Sequence, residues 1–219
     1  MSRYDDMTLD ELRLALAPSI AANAAFDGWN ARAIAAAAAS LGADPGIARL
    51  AFPGGAADMI DAWFAHVDAA MAERCPPERL ATMKIRERIA RQVETRLDLL
   101  APQREALRRA LAVLALPQNL RRAGRLGWRA ADAMWRAAGD TATDYNHYTK
   151  RAILGGVYAA TVQVFLDDES EGQAETRAFL QRRIDGIMRF EKAKAGFVAR
   201  SQNRPSLSRF IGRLRYPAT

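Results

Sequence analysis

The sequence predicts an all-α protein, and three observations carry that prediction. Half of its 219 residues are hydrophobic, with alanine abundant and β-branched residues few. That composition favours helix, because alanine loses no side-chain entropy and branched side chains crowd the preceding turn. Apolar residues recur at helical spacing behind capping residues, and no stretch shows the alternation of a half-buried strand. A chain of this length buries a sizeable core. The order of elements suggests a three-helix unit over residues 1–53, a larger helical region over 54–198, and a tail over 199–219.

The first helix is expected from Thr8 to about Asn23, where Thr8 and Glu11 form a capping box and Leu9, Leu12, Leu16 and Ile20 share a face. Asn30 caps a second helix, Ala31 to Leu41, which Gly42 ends in the left-handed conformation. Asp44-Pro45 reads as an N-cap with proline at the first helical position, opening a short third helix to about Ala51. Phe52-Pro53-Gly54-Gly55 breaks the chain before a long fourth helix to about Arg74. Further helices are expected near Thr82–Leu100, Gln103–Leu114, Asn119–Ala137, Thr143–Leu166 and Ala174–Phe197. Pro76-Pro77, Pro102, Pro117 and Gly139-Asp140 mark their boundaries. Residues 199–206 read as a linker to a last short helix, Ser206 to Tyr216.

The net charge is +7, but it is unevenly spread. Through residue 55, Arg3, Arg13, Arg32 and Arg49 face Asp5, Asp6, Asp10, Glu11, Asp27 and Asp44, whereas Arg200, Arg204, Arg209, Arg213 and Arg215 crowd an acid-free C-terminus. Cys75 stands alone, which excludes an internal disulfide and fits a reducing compartment. No apolar run is long enough for a spanning helix. The first residues lack an apolar core and carry early acids, so neither a secretory signal nor a transit peptide is expected.

The segment from Arg125 to Asp168 holds the most specific pattern. It reads Trp128-Arg-Ala-Ala-Asp132, Met134-Trp135, Gly139-Asp140 and Asp144-Tyr-Asn-His-Tyr-Thr-Lys-Arg151, followed by a long apolar helix. The block resembles the ubiquinone-biosynthesis accessory family known as the ninth Coq protein, whose pattern is D-x-N-W-Y-T-x-R. His147 stands where that family commonly has Trp. The resemblance covers most of residues 8 to 192 and is strongest from Trp128 onward. It implies a TetR-like fold that binds isoprenoid lipid and assists a quinone-ring hydroxylase without catalysing a reaction itself. Eukaryotic members carry a mitochondrial presequence, so this chain is expected in the bacterial cytoplasm, peripheral on the inner membrane.

Spacing gives the block a physical meaning. Asp144, His147, Tyr148 and Arg151 fall on one face of the first two helical turns. The simplest reading makes Thr143 or Asp144 the cap, packs Tyr148 and leaves Lys150 and Arg151 solvated. The richer one collects an acid, an imidazole, a phenol and a guanidinium into an interface with an aromatic anchor. The resemblance implies that these positions dock the hydroxylase, with His147 removing anchor area.

The first three helices resemble the TetR helix-turn-helix, but the third offers only Arg49 for phosphate contact, and Gly55 stands at the usual lysine position. Binding without base readout needs several neutralised phosphates. A retained scaffold without nucleic acid is therefore the expectation, with a transcriptional regulator as the alternative. His66 and His147 are the only histidines, and neither has a partner at metal-ligating spacing. No phosphate loop or nucleophile elbow appears. No catalytic residue, metal or cofactor is expected.

In the last short helix Leu207, Phe210, Ile211 and Leu214 fall within an arc of about 100°, with Arg209 and Arg213 opposite. Such a helix needs a surface to fold on, either its own domain or a membrane. The membrane reading sets the apolar stripe into the interface and the arginines on anionic headgroups at about 1 kcal/mol each. Most large apolar groups in the middle helices are plain core. The resemblance implies a cavity for an isoprenoid quinone or related lipid, and Met59, Trp63, Leu97, Leu111, Leu114, Trp128, Met134, Trp135, Tyr158 and Val162 are the expected walls. Small residues at fourfold spacing (Ala152, Gly156, Ala160; Gly155, Ala159) suggest a close helix approach and a homodimer. A further alternative is a scaffold of a biosynthetic complex with no lipid of its own.

Overall fold

The computed structural model describes residues 4, 6–141, 143 and 145–202, with side chains throughout except at 145, 146, 188 and 190–202. Its described residues are helical without a strand: α1 (Leu9–Asp27), α2 (Ala31–Leu41), α3 (Pro45–Leu50), α4 (Ala56–Arg74), α5 (Pro77–Ala81), α6 (Ile85–Leu100), α7 (Arg104–Leu114), α8 (Leu120–Ala137), α9 (Tyr145–Asp167) and α10 (Ala174–Gln202). One compact unit spans Met1–Leu180 and a second spans Gln181–Thr219.

The caps of the first three helices form as their sequence dictates. Thr8 Oγ accepts from the Glu11 amide at 3.3 Å while Glu11 accepts from the Thr8 amide at 2.9 Å. Asn30 and Asp44 side chains accept from the Arg32 and Ile47 amides, each at 2.8 Å. Gly42 closes α2 at φ +68°, a left-handed conformation that costs glycine little. Phe52 is buried behind α3. Trp29, in the α1–α2 turn, packs on Trp63 of α4 at 5.4 Å between ring centroids and donates its indole N–H to the Ala106 carbonyl of α7 at 3.0 Å. That side chain fastens the three-helix unit to the body.

Several boundaries differ from the sequence expectation, each for a local reason. α1 continues past Asn23 to Asp27, because Asn23 turns its amide back onto the Ser19 carbonyl instead of ending the helix. Thr82 does not open the next helix: its hydroxyl donates to the Arg79 carbonyl and closes α5, and α6 starts at Ile85 with Glu87 accepting from the Lys84 amide. α9 begins at Tyr145, not Thr143. α10 runs through Gln202 into the expected linker, since Val198 to Gln202 contains neither glycine nor proline.

The body packs α9 against α8 and α6, and arginines of α7 tie down its end. Arg108 donates to the Leu166 carbonyl at 2.7 Å, and Arg104 donates to the Asp168 carbonyl at 2.5 Å while covering the Phe165 ring. The buried Asp168 carboxylate then accepts from the amide and hydroxyl of both Ser170 and Thr176. Burial alone would raise its pKa, but these four hydrogen bonds outweigh it and hold the group well below the usual carboxylate range.

Because the Asp168 pKa is depressed on folding, its contribution is complete above the ordinary carboxylate range and is lost as pH falls through the lowered native value. Asp168→Ala is expected to cost about 1–3 kcal/mol at neutral pH in urea unfolding. The stability of Asp168→Asn should fall less steeply than wild type between about pH 5 and 2, which a pH series of the same measurement checks.

Candidate functional site

Between α4, α6, α7, α8 and α9 lies an apolar cavity of about 310 Å³ that opens to solvent. The sequence makes room for it with small residues. Ala123, Gly127 and Ala130 of α8 face Gly155 and Ala159 of α9 across the space. A Cβ built on Gly127 or Gly155 meets nothing within 4 Å. Leu107, Leu111, Leu114 and Leu126 supply the apolar wall, and Phe64 closes one side. Leu120, 57% exposed, stands at the rim with Ala159 and Gln163. Arg96 and Tyr158 are the polar members of the lining besides Gln163.

Of the expected wall, Leu111, Leu114, Tyr158 and Val162 line the cavity. The others do not. Met59, Trp63, Leu97 and Met134 are buried in packing elsewhere in the core. Trp135 donates to the Lys150 carbonyl at 3.0 Å with the Lys150 ammonium over its ring, so it buttresses the start of α9. Trp128 is 38% exposed and joins a surface aromatic group instead. The two small-residue lines of α9 also diverge: Gly155 and Ala159 turn to the cavity, while Ala152 and Gly156 are exposed.

That surface group is the second constellation. Tyr148 is 62% exposed and lies 6.0 Å from the Trp128 ring and 5.1 Å from His147. Arg151, expected beside them, is buried beneath. Its guanidinium donates to Asp132 at 2.6 Å, to Asp140 at 3.0 Å and to the His147 carbonyl at 3.1 Å. Burial opposes its charge, yet the two carboxylates outweigh that effect and raise its pKa. Lys150 reaches the same Asp140 at 2.7 Å. The Gly139 turn, at φ +90°, brings Asp140 back under α9 so that both cations can reach it. Arg151 therefore positions the patch and does not present itself to a partner. Asp144 and the expected membrane residues Leu207, Arg209, Phe210, Ile211, Arg213 and Leu214 lie outside the described residues.

On α3, Ile47 and Leu50 are exposed beside Arg49 while Ala48 is buried. Among the described residues no cluster of His, Cys, Asp and Glu could hold a metal ion, and no helix is long and apolar enough to cross a membrane.

The COQ9 family profile matches residues 120–191, the stretch that contains α8, α9 and the Trp128–Tyr148 group. The ubiquinone biosynthesis protein COQ9, mitochondrial, of Rattus norvegicus is 35% identical over 168 residues, covering 74% of this chain and 54% of that protein. Over that length the chain is similar to COQ9 proteins. The Homo sapiens COQ9 protein is 33% identical over the same length, covering 52% of that protein. The chain thus spans about half the length of the curated relatives it matches. The crystal structure of a TetR transcriptional regulator from Nitrosomonas europaea superposes with a TM-score of 0.64 at 25% identity, covering 80% of this chain and 97% of that one. The chain therefore has the TetR-like fold that its helix order implied.

The expected bacterial cytoplasmic location is overturned, because the family relatives are mitochondrial proteins. The first residues of a chain that spans only about half of its relatives carry no information on compartment.

Sequence reasoning missed a set of ion pairs. Asp58, Asp61 and Asp68 of α4 receive Arg122 and Arg129 of α8, and Asp68 also receives Arg96 of α6. Their signal was present: acids three and seven apart on α4 and arginines seven apart on α8 each make a single stripe.

Arg151→Met should lower unfolding free energy by about 3 kcal/mol. The value lies at the low end for a broken buried pair, because Arg136 and Lys150 still serve Asp132 and Asp140. Tyr148→Ala, at an exposed site, should stay within about 0.5 kcal/mol of wild type in the same urea titration.

Proposed function

We propose that this COQ9-like chain is a non-catalytic, lipid-binding accessory protein of ubiquinone biosynthesis, which draws a polyprenylated ring intermediate from a membrane and passes it to a ring hydroxylase. The observation that carries the reading is the open apolar cavity bounded by small residues of α8 and α9. Its volume lies at the low end of the roughly 300–1,000 Å³ range of small-molecule sites. It accommodates a ring and the beginning of a tail, and a long polyprenyl chain extends beyond it. Burial of apolar tail surface is the driving force, at about 25 cal/mol per Å².

Two surfaces complete the reading. The Trp128, His147 and Tyr148 cluster offers an exposed aromatic anchor on a backing held rigid by Arg151, which suits a protein partner such as the hydroxylase. The Leu207–Leu214 stripe with Arg209 and Arg213 suits an anionic membrane surface. The exposed Ala152 and Gly156 line supports a homodimer. Likeness to a transcriptional regulator does not extend to DNA binding in this reading, because the outward side of α3 offers Ile47 and Leu50 with Arg49 as its one cation.

Lipid extraction followed by mass analysis of protein purified from cells making ubiquinone should yield a prenylated ring compound. Gly155→Leu, which puts a side chain into open space on α9, should remove that lipid while folding is retained. A lipid load unchanged by the substitution would place the ligand elsewhere. Phe210→Asp with Leu214→Asp should abolish flotation with vesicles containing anionic lipid, and persistent flotation would exclude the tail as the anchor.

A further inference from the structure

The cavity is apolar nearly throughout, and one of its few polar lining groups is a buried cation. Arg96 is 2% exposed and belongs to the lining. Its terminal nitrogen pairs with Asp68, and its guanidinium lies over the Tyr158 ring, 5.1 Å from the centroid. The Arg96 Nε is buried and has no hydrogen-bond partner among the described residues. An orphaned donor on a buried cation costs more than an ordinary one, since guanidinium keeps its charge and cannot withdraw by losing a proton.

The rest of the lining gives this feature a direction. Leu107 and Ala130 are nearly inaccessible like Arg96, whereas Leu120, Ala159 and Gln163 are exposed. The polar group therefore belongs to the buried end of the cavity, and the rim is where a long tail can leave.

We infer that Arg96, packed over the Tyr158 ring, forms a subsite for an acceptor oxygen on the ring of a prenylated aromatic ligand, which enters ring first and trails its tail past Leu120. The ligand class is a prenylated quinone or phenol. A saturated or purely hydrocarbon isoprenoid lacks the acceptor and leaves Nε orphaned. A carboxylate is not required, because Asp68 already balances the Arg96 charge. This inference rests on the reading of the cavity as a lipid site and adds the residue that recognises the ring and the orientation in which it is held.

The test compares two probes that differ only in the ring: geranyl-benzoquinone and geranylbenzene, titrated calorimetrically into the full chain. An apolar cavity without a subsite prefers the more hydrophobic geranylbenzene. The inference expects the quinone to bind about tenfold more tightly, or better, as a hydrogen bond from a charged donor allows. Arg96→Met should bring the two affinities within about twofold while leaving geranylbenzene binding unchanged, a selective loss that a general disturbance of the cavity would not produce. Asp68 keeps Arg129 as a partner in that variant, and circular dichroism verifies its folding. Equal binding of the two probes to wild type, or a quinone preference that survives Arg96→Met, overturns the subsite. The wild-type comparison decides even where the variant does not fold. If wild type binds neither probe, the lipid-cavity reading fails along with the subsite. If it binds geranylbenzene as well as the quinone, only the subsite does.

Discussion

The seam between α4 and α8 is the constraint on which the body depends. Asp58, Asp61 and Asp68 take up one side of α4, and Arg122 and Arg129, two turns apart on α8, meet them at 2.6–3.0 Å. Asp68 is shared with Arg96, which joins α6 to the same seam. Pairs of this kind gain little over a well-packed apolar contact, but removing one partner strands the other in a poorly solvated place. The seam therefore sets α8 in register on α4 more than it deepens stability. With α8 held along its arginine stripe, a separate face can be left with Ala123, Gly127 and Ala130 and no filler.

That arrangement separates two tasks on a single helix. The arginine side of α8 anchors, and the alanine–glycine side stays hollow. α9 completes the hollow with Gly155 and Ala159 and is itself secured at both ends. Arg151 and Lys150 converge on Asp140 near its start, and Asp168 gathers Ser170 and Thr176 beyond its end. A helix with no filler beneath its middle needs such ends, because interior packing there contributes less than in an ordinary core.

Much of the fold was legible because it is encoded locally. Thr8 with Glu11, Asn30, Asp44-Pro45 and Gly42 act within a turn or two of their own position, and each formed as its chemistry requires. Errors arose where a residue had two local options, as with Asn23 and Thr82, whose side chains bond backward to a carbonyl instead of ending or opening a helix. The site was only partly readable. Large apolar side chains were expected to make the walls, yet Met59, Trp63, Leu97 and Met134 pack the core, and the cavity is bounded by residues too small to draw notice. Apolar periodicity identifies a buried face but cannot tell filled space from open space. Arg151 was misjudged for a related reason: its two acids, Asp132 and Asp140, come from elements that only the tertiary fold brings beneath it.

Trp29 carries a mechanical implication. Its ring rests on Trp63, Trp63 stacks on Phe64 at 5.4 Å, and Phe64 borders the hollow. Three aromatic plates thus run without interruption from the hollow to the turn between α1 and α2. Swinging the three-helix unit as a free arm would break an indole hydrogen bond and pull the Trp29 ring off Trp63 at once. A shift of Phe64 would bear on Trp63 and Trp29 in turn, so the hollow and the amino-terminal helices are parts of one packed body.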